Sequence, residues 1–163
     1  MKNILCICLV FCVLGKIFAQ APCDLRFVSD TMSTYTKNTV LEGSYVETTL
    51  KKGSTVRFFK TNNDKYYLRF LVTENFYFDK SDILEIVSGN KSYYAPDTRQ
   101  WKVSKSLGLF ILEIPKNYVS QLKDHGITAL VFAHAETHFT KSDCKLIKEI
   151  CTCFYNSIQN KKQ

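Results

Sequence analysis

The chain reads as an α+β protein: a single antiparallel β-sheet domain of about six to eight strands, curved or sandwich-like, with one short helix and a C-terminal helix packed on the sheet. Three features point there. From Thr55 to Val87 apolar and polar residues alternate with period two, through Val56, Phe58, Tyr66, Leu68, Phe70, Val72, Phe76 and Phe78. Successive strand side chains point to opposite faces, so this alternation buries one face of a sheet. Leu107 to Ile114 is apolar almost throughout, interrupted by Glu113, as suits a strand covered on both faces. After Thr140, steps of 100° place Cys144, Ile147, Cys151, Phe154 and Ile158 on one narrow helical stripe.

Taken in order, Cys23 to Thr39 is an irregular first strand with Leu25, Phe27 and Val28 apolar. Tyr45 to Leu50 is a second strand, and Lys51-Lys52-Gly53 turns the chain. Asn62-Asn63-Asp64 separates the two longest strands, because Asn and Asp tolerate left-handed backbone. The short Phe76–Phe78 run precedes Asp79-Lys80-Ser81-Asp82. Ser88-Gly89-Asn90 is the next turn, and Tyr93-Tyr94 continues the sheet. Ala95 to Ser106 carries Pro96 and no periodicity, so it is expected to be the longest loop. Pro115 starts a short helix, where its missing N–H costs nothing, with Tyr118, Val119 and Leu122 as the apolar face and Gly126 as the stop. Ile127 to Ala133 is the last clear strand. Thr140 then opens the C-terminal helix, with Asp143 as its capping-box partner.

At 163 residues the chain has the length of one domain, and 45% hydrophobic with 23% charged residues is ordinary for a globular core. Lys2, the apolar run Ile4–Leu14 and a small residue at Ala19 predict a signal peptide. The expected layout is residues 1–19 as signal, 23–158 as one globular domain and 159–163 as a basic tail. A secreted or periplasmic location follows; Pro22 before Cys23 spoils a lipoprotein box, and no transmembrane segment is expected in the mature chain. Losing Lys2 and Lys16 lowers Lys plus Arg from 22 to 20 against 15 acids, a mature charge of +5. That mild excess carries no nucleic-acid motif, so nucleic acid is not an expected partner, whereas a protein or an anionic glycan is.

Four cysteines follow the signal: Cys23, Cys144, Cys151 and Cys153. In an oxidising compartment pairing is expected. A helix rises 1.5 Å per residue, so Cys144 and Cys151 would lie about 10 Å apart, beyond the roughly 7 Å a disulfide spans. Cys151 and Cys153 would point about 160° apart. The intramolecular partner left for the helix is Cys23, bonded to Cys151 or Cys153. Closing so long a loop would contribute about 5 kcal/mol in the chain-entropy picture.

His134-Ala135-Glu136-Thr137-His138 is the one cluster with metal-ligand character, since His134, Glu136 and His138 would share a strand face and converge on zinc. It lacks the HExxH order, and the same residues also read as a polar turn with solvated histidines. No G-x-S-x-G, Cys/His signature or glycine-rich phosphate loop is present, so a non-enzymatic module is favoured and no catalytic residue is assigned. Trp101, with Arg99 and Lys102, would grip a glycan or other anionic ligand from the expected loop.

The signal ending IFAQ, the segments YYLRF and FYFDKSDIL, and the closing order VSQLKDHGI, TALVF and KLIKEIC form a recurring pattern. Together they resemble small uncharacterised secreted proteins of Gram-negative bacteria. The resemblance implies a single antiparallel α+β domain and a bridge between an early and a late cysteine, and it brings no catalytic residues. Expected overall is an exported binding or structural module, with a zinc protein and an anionic-glycan binder as alternatives.

Overall fold

The computed structural model describes residues 25–30, 41–73, 83–95, 99–104, 107–132 and 135–160. Ten strands lie among them: β1 (Arg26–Asp30), β2 (Leu41–Thr49), β3 (Thr55–Thr61), β4 (Tyr66–Val72), β5 (Leu84–Ser88), β6 (Lys91–Ala95), β7 (Arg99–Ser104), β8 (Leu107–Ile114), β9 (Ala129–Phe132) and β10 (Ala135–His138). Two helices accompany them, α1 (Lys116–His125) and α2 (Lys141–Asn160). Every pairing is antiparallel. The strands form a six-stranded sheet in the order β1-β2-β3-β4-β8-β7 and a four-stranded sheet in the order β10-β9-β5-β6.

The α+β class is as expected, and the strands divide between two sheets. The β3–β4 alternation buries Val56, Phe58, Tyr66, Leu68, Phe70 and Val72. From the second sheet, Leu84, Ile86, Leu130 and Phe132 enter the same core. Phe110 on β8 meets Phe132 on β9 edge-to-face, with ring centroids 5.2 Å apart, which joins the sheets through their inner faces. Burying aromatic rings of this size contributes roughly 2–3 kcal/mol each before entropy is counted.

Two segments differ from the sequence expectation. Ala95 to Ser106 is not one long loop, because Arg99–Ser104 forms β7 on the rim of the six-stranded sheet. An edge strand pairs on one side only, so it forms without the apolar alternation of an inner strand. Nor is Ile127–Ala133 the last strand: Ala135–His138 forms β10 beside β9. Thr137 there is buried while Glu136 and His138 are exposed, a period-two pattern too short to see in the sequence. Phe76–Phe78 and Asp79-Lys80-Ser81-Asp82 lie outside the described residues.

The turns follow their local chemistry. Thr61 and Lys65 close the β3–β4 hairpin through a 2.9 Å backbone bond, and Asp64 takes φ +60° at its last loop position. Gly89, with φ +63°, occupies the first of the two residues joining β5 to β6, where this hairpin class takes glycine.

The helices are fixed at their ends. Pro115 is the N-cap of α1, and Gly126, with φ +71°, ends it by donating its N–H to Leu122 O at 2.7 Å. Thr140 and Asp143 form the capping box of α2: the Asp143 N–H donates to Thr140 Oγ1 at 3.2 Å, and the Thr140 N–H donates to Asp143 Oδ2 at 3.3 Å. Ile147, Cys151, Phe154 and Ile158 on the α2 stripe are buried, and Cys144 is half-buried. Phe154 meets Phe58 at 5.8 Å and Tyr66 at 6.3 Å, which seats α2 on the inner face of the six-stranded sheet. No described helix is long and apolar enough to cross a membrane.

Candidate functional site

With its inner face in the core, the six-stranded sheet turns alternate residues outward, and strand register lines them up in rows. One row runs Arg26, Tyr45, Phe59, Tyr67, Glu113. The next runs Glu47, Arg57, Arg69, Ile111, Arg99. A third runs Thr49, Thr55, Leu71, Leu109, Trp101. These rows hold Arg26, Arg57, Arg69 and Arg99, which are all four arginines of the chain. They come from four strands, β1, β3, β4 and β7, and no arginine lies in the four-stranded sheet or the helices. A loose scatter of charge would mix arginine with the far commoner lysine. Concentration of the planar, forked cation on one face matches the recognition of carboxylate, sulfate or phosphate groups.

Arg57 and Arg69 are direct cross-strand neighbours, an arrangement that repels if nothing intervenes. Glu47 lies between them in effect, accepting from Arg57 Nε at 2.8 Å and from Arg69 Nη1 at 3.4 Å. The Arg57 guanidinium also sits 4.2 Å over the Tyr45 ring, which restrains its plane. Beside it Phe59 and Tyr67 pack with centroids 6.5 Å apart. Glu113 accepts from Lys65 Nζ at 3.0 Å and from the Tyr67 hydroxyl at 3.2 Å. Phe59, Leu109 and Ile111 are buried although they lie outside the main core, so this outer face has a small apolar floor of its own. The side chains of Arg57, Arg69 and Glu47 keep 14%, 24% and 29% exposure, a partly desolvated setting in which charge–charge contacts gain over open water.

Arg99 and Trp101 join this face through register, not through a loop: Arg99 stands opposite Ile111 and Trp101 opposite Leu109. Lys102 takes the alternate position opposite Gly108, next to a bulge, and the structure does not bring it into these rows. No family model, curated protein or solved structure matches this chain.

The outer face of the other sheet is polar and free of arginine. Glu85, Val131 and Glu136 align across it, with Tyr94 opposite Glu85 at the β6 edge and 60% exposed. His138 Nε2 lies 3.0 Å from Glu136 Oε1 on the same face. His134 lies outside the described residues, among which no three His, Cys, Asp or Glu groups are placed to hold a metal.

Cys151 is fully buried, with its Sγ donating to Val119 O at 3.5 Å, and burial pushes its thiol well above the ordinary range. Cys144 lies 3.6 Å from Phe139 O, and burial raises its thiol too. Both are free thiols, whereas Cys153 is disulfide-bonded, so its partner lies outside the described residues, as Cys23 does.

Arg26, Tyr45, Glu47, Arg57, Tyr67 and Arg69 are the site residues that sequence reasoning missed. A signal was present: every arginine sits in a strand-like segment, while lysines crowd the turns and the helices. That contrast becomes a site only when register places the strands side by side.

Proposed function

We propose that the protein is an exported, non-enzymatic binding module that takes an anionic ligand on the outer face of its six-stranded sheet. The observation that carries this is the gathering of all four arginines on one face by strands far apart in sequence. The Tyr45 ring and the Glu47 carboxylate hold Arg57 in place before any ligand arrives. Preorganised forks lose less freedom on binding than mobile lysines do. Export is part of the same proposal: it rests on the signal-like leader and the resemblance to secreted bacterial proteins, and the disulfide at Cys153 supports it, since such bonds persist in oxidising compartments. Cys23, the first cysteine after the leader, is the proposed partner.

Affinity electrophoresis tests the binding face. The wild type should be retarded in gels containing dextran sulfate and not in gels containing neutral dextran, and added salt should weaken the retardation. Two double variants remove equal charge: Arg26→Gln/Arg69→Gln from the face, and Lys145→Gln/Lys148→Gln from α2. Loss confined to the first supports the site. Equal loss in both would reduce the effect to net charge and overturn it.

A further inference from the structure

We propose that two copies of this chain join edge to edge through β10 and hold one zinc ion between them, with Glu136 and His138 of each copy as its four ligands. This joint lies on the four-stranded sheet, away from the arginine face, and does not depend on that face binding anything. β10 ends its sheet and, among the described residues, pairs with β9 alone. Just past that pairing, the Phe139 N–H donates to Thr128 O at 2.9 Å. Along an antiparallel strand, residues that bond to the neighbour alternate with residues whose peptide groups face the other way. Ala135 and Thr137 are in phase with Phe139 and turn to β9. The peptide groups of Glu136 and His138 therefore turn to the open edge.

The side chains at the same two positions converge. His138 Nε2 and Glu136 Oε1 lie 3.0 Å apart, with the side chains 71% and 50% exposed. Two ligands of one tetrahedral zinc, each about 2.0–2.1 Å from the ion, are themselves about 3.3 Å apart. The pair is thus spaced as two ligands of one ion must be. A structural zinc takes four, and among the described residues of one chain no third His, Cys, Asp or Glu joins this pair. A second copy supplies the rest by symmetry. With a two-fold axis at Thr137, antiparallel pairing sets Glu136 of each copy opposite His138 of the other. This register engages every outward peptide group of the strand, about four backbone bonds, with opposed Cα atoms about 5.5 Å apart and side chains on one face. The alternative of Glu136 opposite Glu136 would bond fewer groups and oppose like charges. Edges of four residues are short against the ~1,200 Å² that a stable interface buries, so the metal is what holds the copies together.

Analytical ultracentrifugation of the protein, with zinc titrated in and then withdrawn by EDTA, tests the joint. The mass should double with zinc, the uptake should saturate at one ion per two chains, and EDTA should restore the monomer. His138→Ala and Glu136→Gln alter exposed side chains, so each should abolish the zinc-dependent dimer while leaving the unfolding midpoint in EDTA unchanged. His125→Ala, at the exposed end of α1, should keep the dimer. One ion per chain in a persistent monomer would overturn the shared site and return ligation to a single chain through His134, Glu136 and His138. A dimer that survives EDTA or either ligand variant would overturn it as well, as would no zinc uptake at all.

Discussion

Asp143 illustrates how much a single side chain can hold in place. Its Oδ2 accepts from the Thr140 hydroxyl at 2.6 Å and from the Thr140 N–H, and its Oδ1 accepts from the Lys51 N–H at 2.9 Å, 92 residues away. The carboxylate caps α2 and ties it to the turn between β2 and β3. Burial works to raise its pKa, but the Lys51 N–H, the Thr140 donors and the Lys51 charge outweigh burial and leave it lowered from 3.8. A depressed carboxyl contributes stability that is complete above the unfolded value and lost as pH falls through the lower folded one. Urea unfolding of the wild type should therefore weaken below about pH 4, and Asp143→Asn should flatten that acid limb. Asp143→Ala, which removes the cap and strands the Lys51 N–H, should cost about 2–3 kcal/mol at neutral pH. Tyr118 is the opposite case. Its ring stacks on Tyr93 at 4.2 Å, yet among the described residues its buried hydroxyl has no hydrogen-bond partner. Tyr118→Phe should leave stability unchanged or raise it by up to about 1 kcal/mol in the same assay. A marked loss would reveal a partner for that hydroxyl.

At the scale of elements, the pairing of β2 with β3 positions Tyr45 and Glu47 beside Arg57, and Gly43 makes that pairing close. A Cβ on Gly43 would collide with the Lys60 carbonyl oxygen, a clash with backbone that no rotamer relieves. Gly43→Ala should cost roughly 3 kcal/mol or more by thermal or urea unfolding and should disturb the arginine face with it. At the tip of the next hairpin, Asp64→Gly should gain a few tenths of a kcal/mol, since glycine takes φ +60° without a Cβ penalty and the Lys60–Asp64 pair, whose carboxylate lies in solvent, contributes little. The inner strands were legible in the sequence because Val56, Phe58, Leu68 and Phe70 must alternate to bury one face. Helix α2 was legible from its stripe and from Thr140 with Asp143. The edge strands β7 and β10 were not, since an edge pairs on one side and tolerates polar residues throughout. The site was hidden for a different reason. Arg57 and Arg69 look like ordinary outward positions until the β3–β4 register puts them side by side and Glu47 reaches both.

Over the whole molecule, the two sheets share one core and present unlike outer faces, one holding the four arginines and the other Glu85, Glu136 and His138. Helix α2 runs behind the larger sheet and carries the bonded Cys153 and the buried Cys151. If Cys153 is joined to Cys23, Cys153→Ser should lower stability by up to about 5 kcal/mol. Peptide mapping without reductant should also recover Cys23 and Cys153 in one linked pair, and recovery of Cys23 as a free thiol would refute the pairing. The proposed ligand would sit on the arginine face. The decisive measurement is amide chemical-shift mapping of the labelled protein during titration with a short dextran sulfate oligomer. Shifts should concentrate at residues 45, 47, 57, 59, 67 and 69 and along β7, with β5, β6, β9 and β10 quiet. Shifts centred on the four-stranded sheet, or none at saturating oligomer, would contradict it.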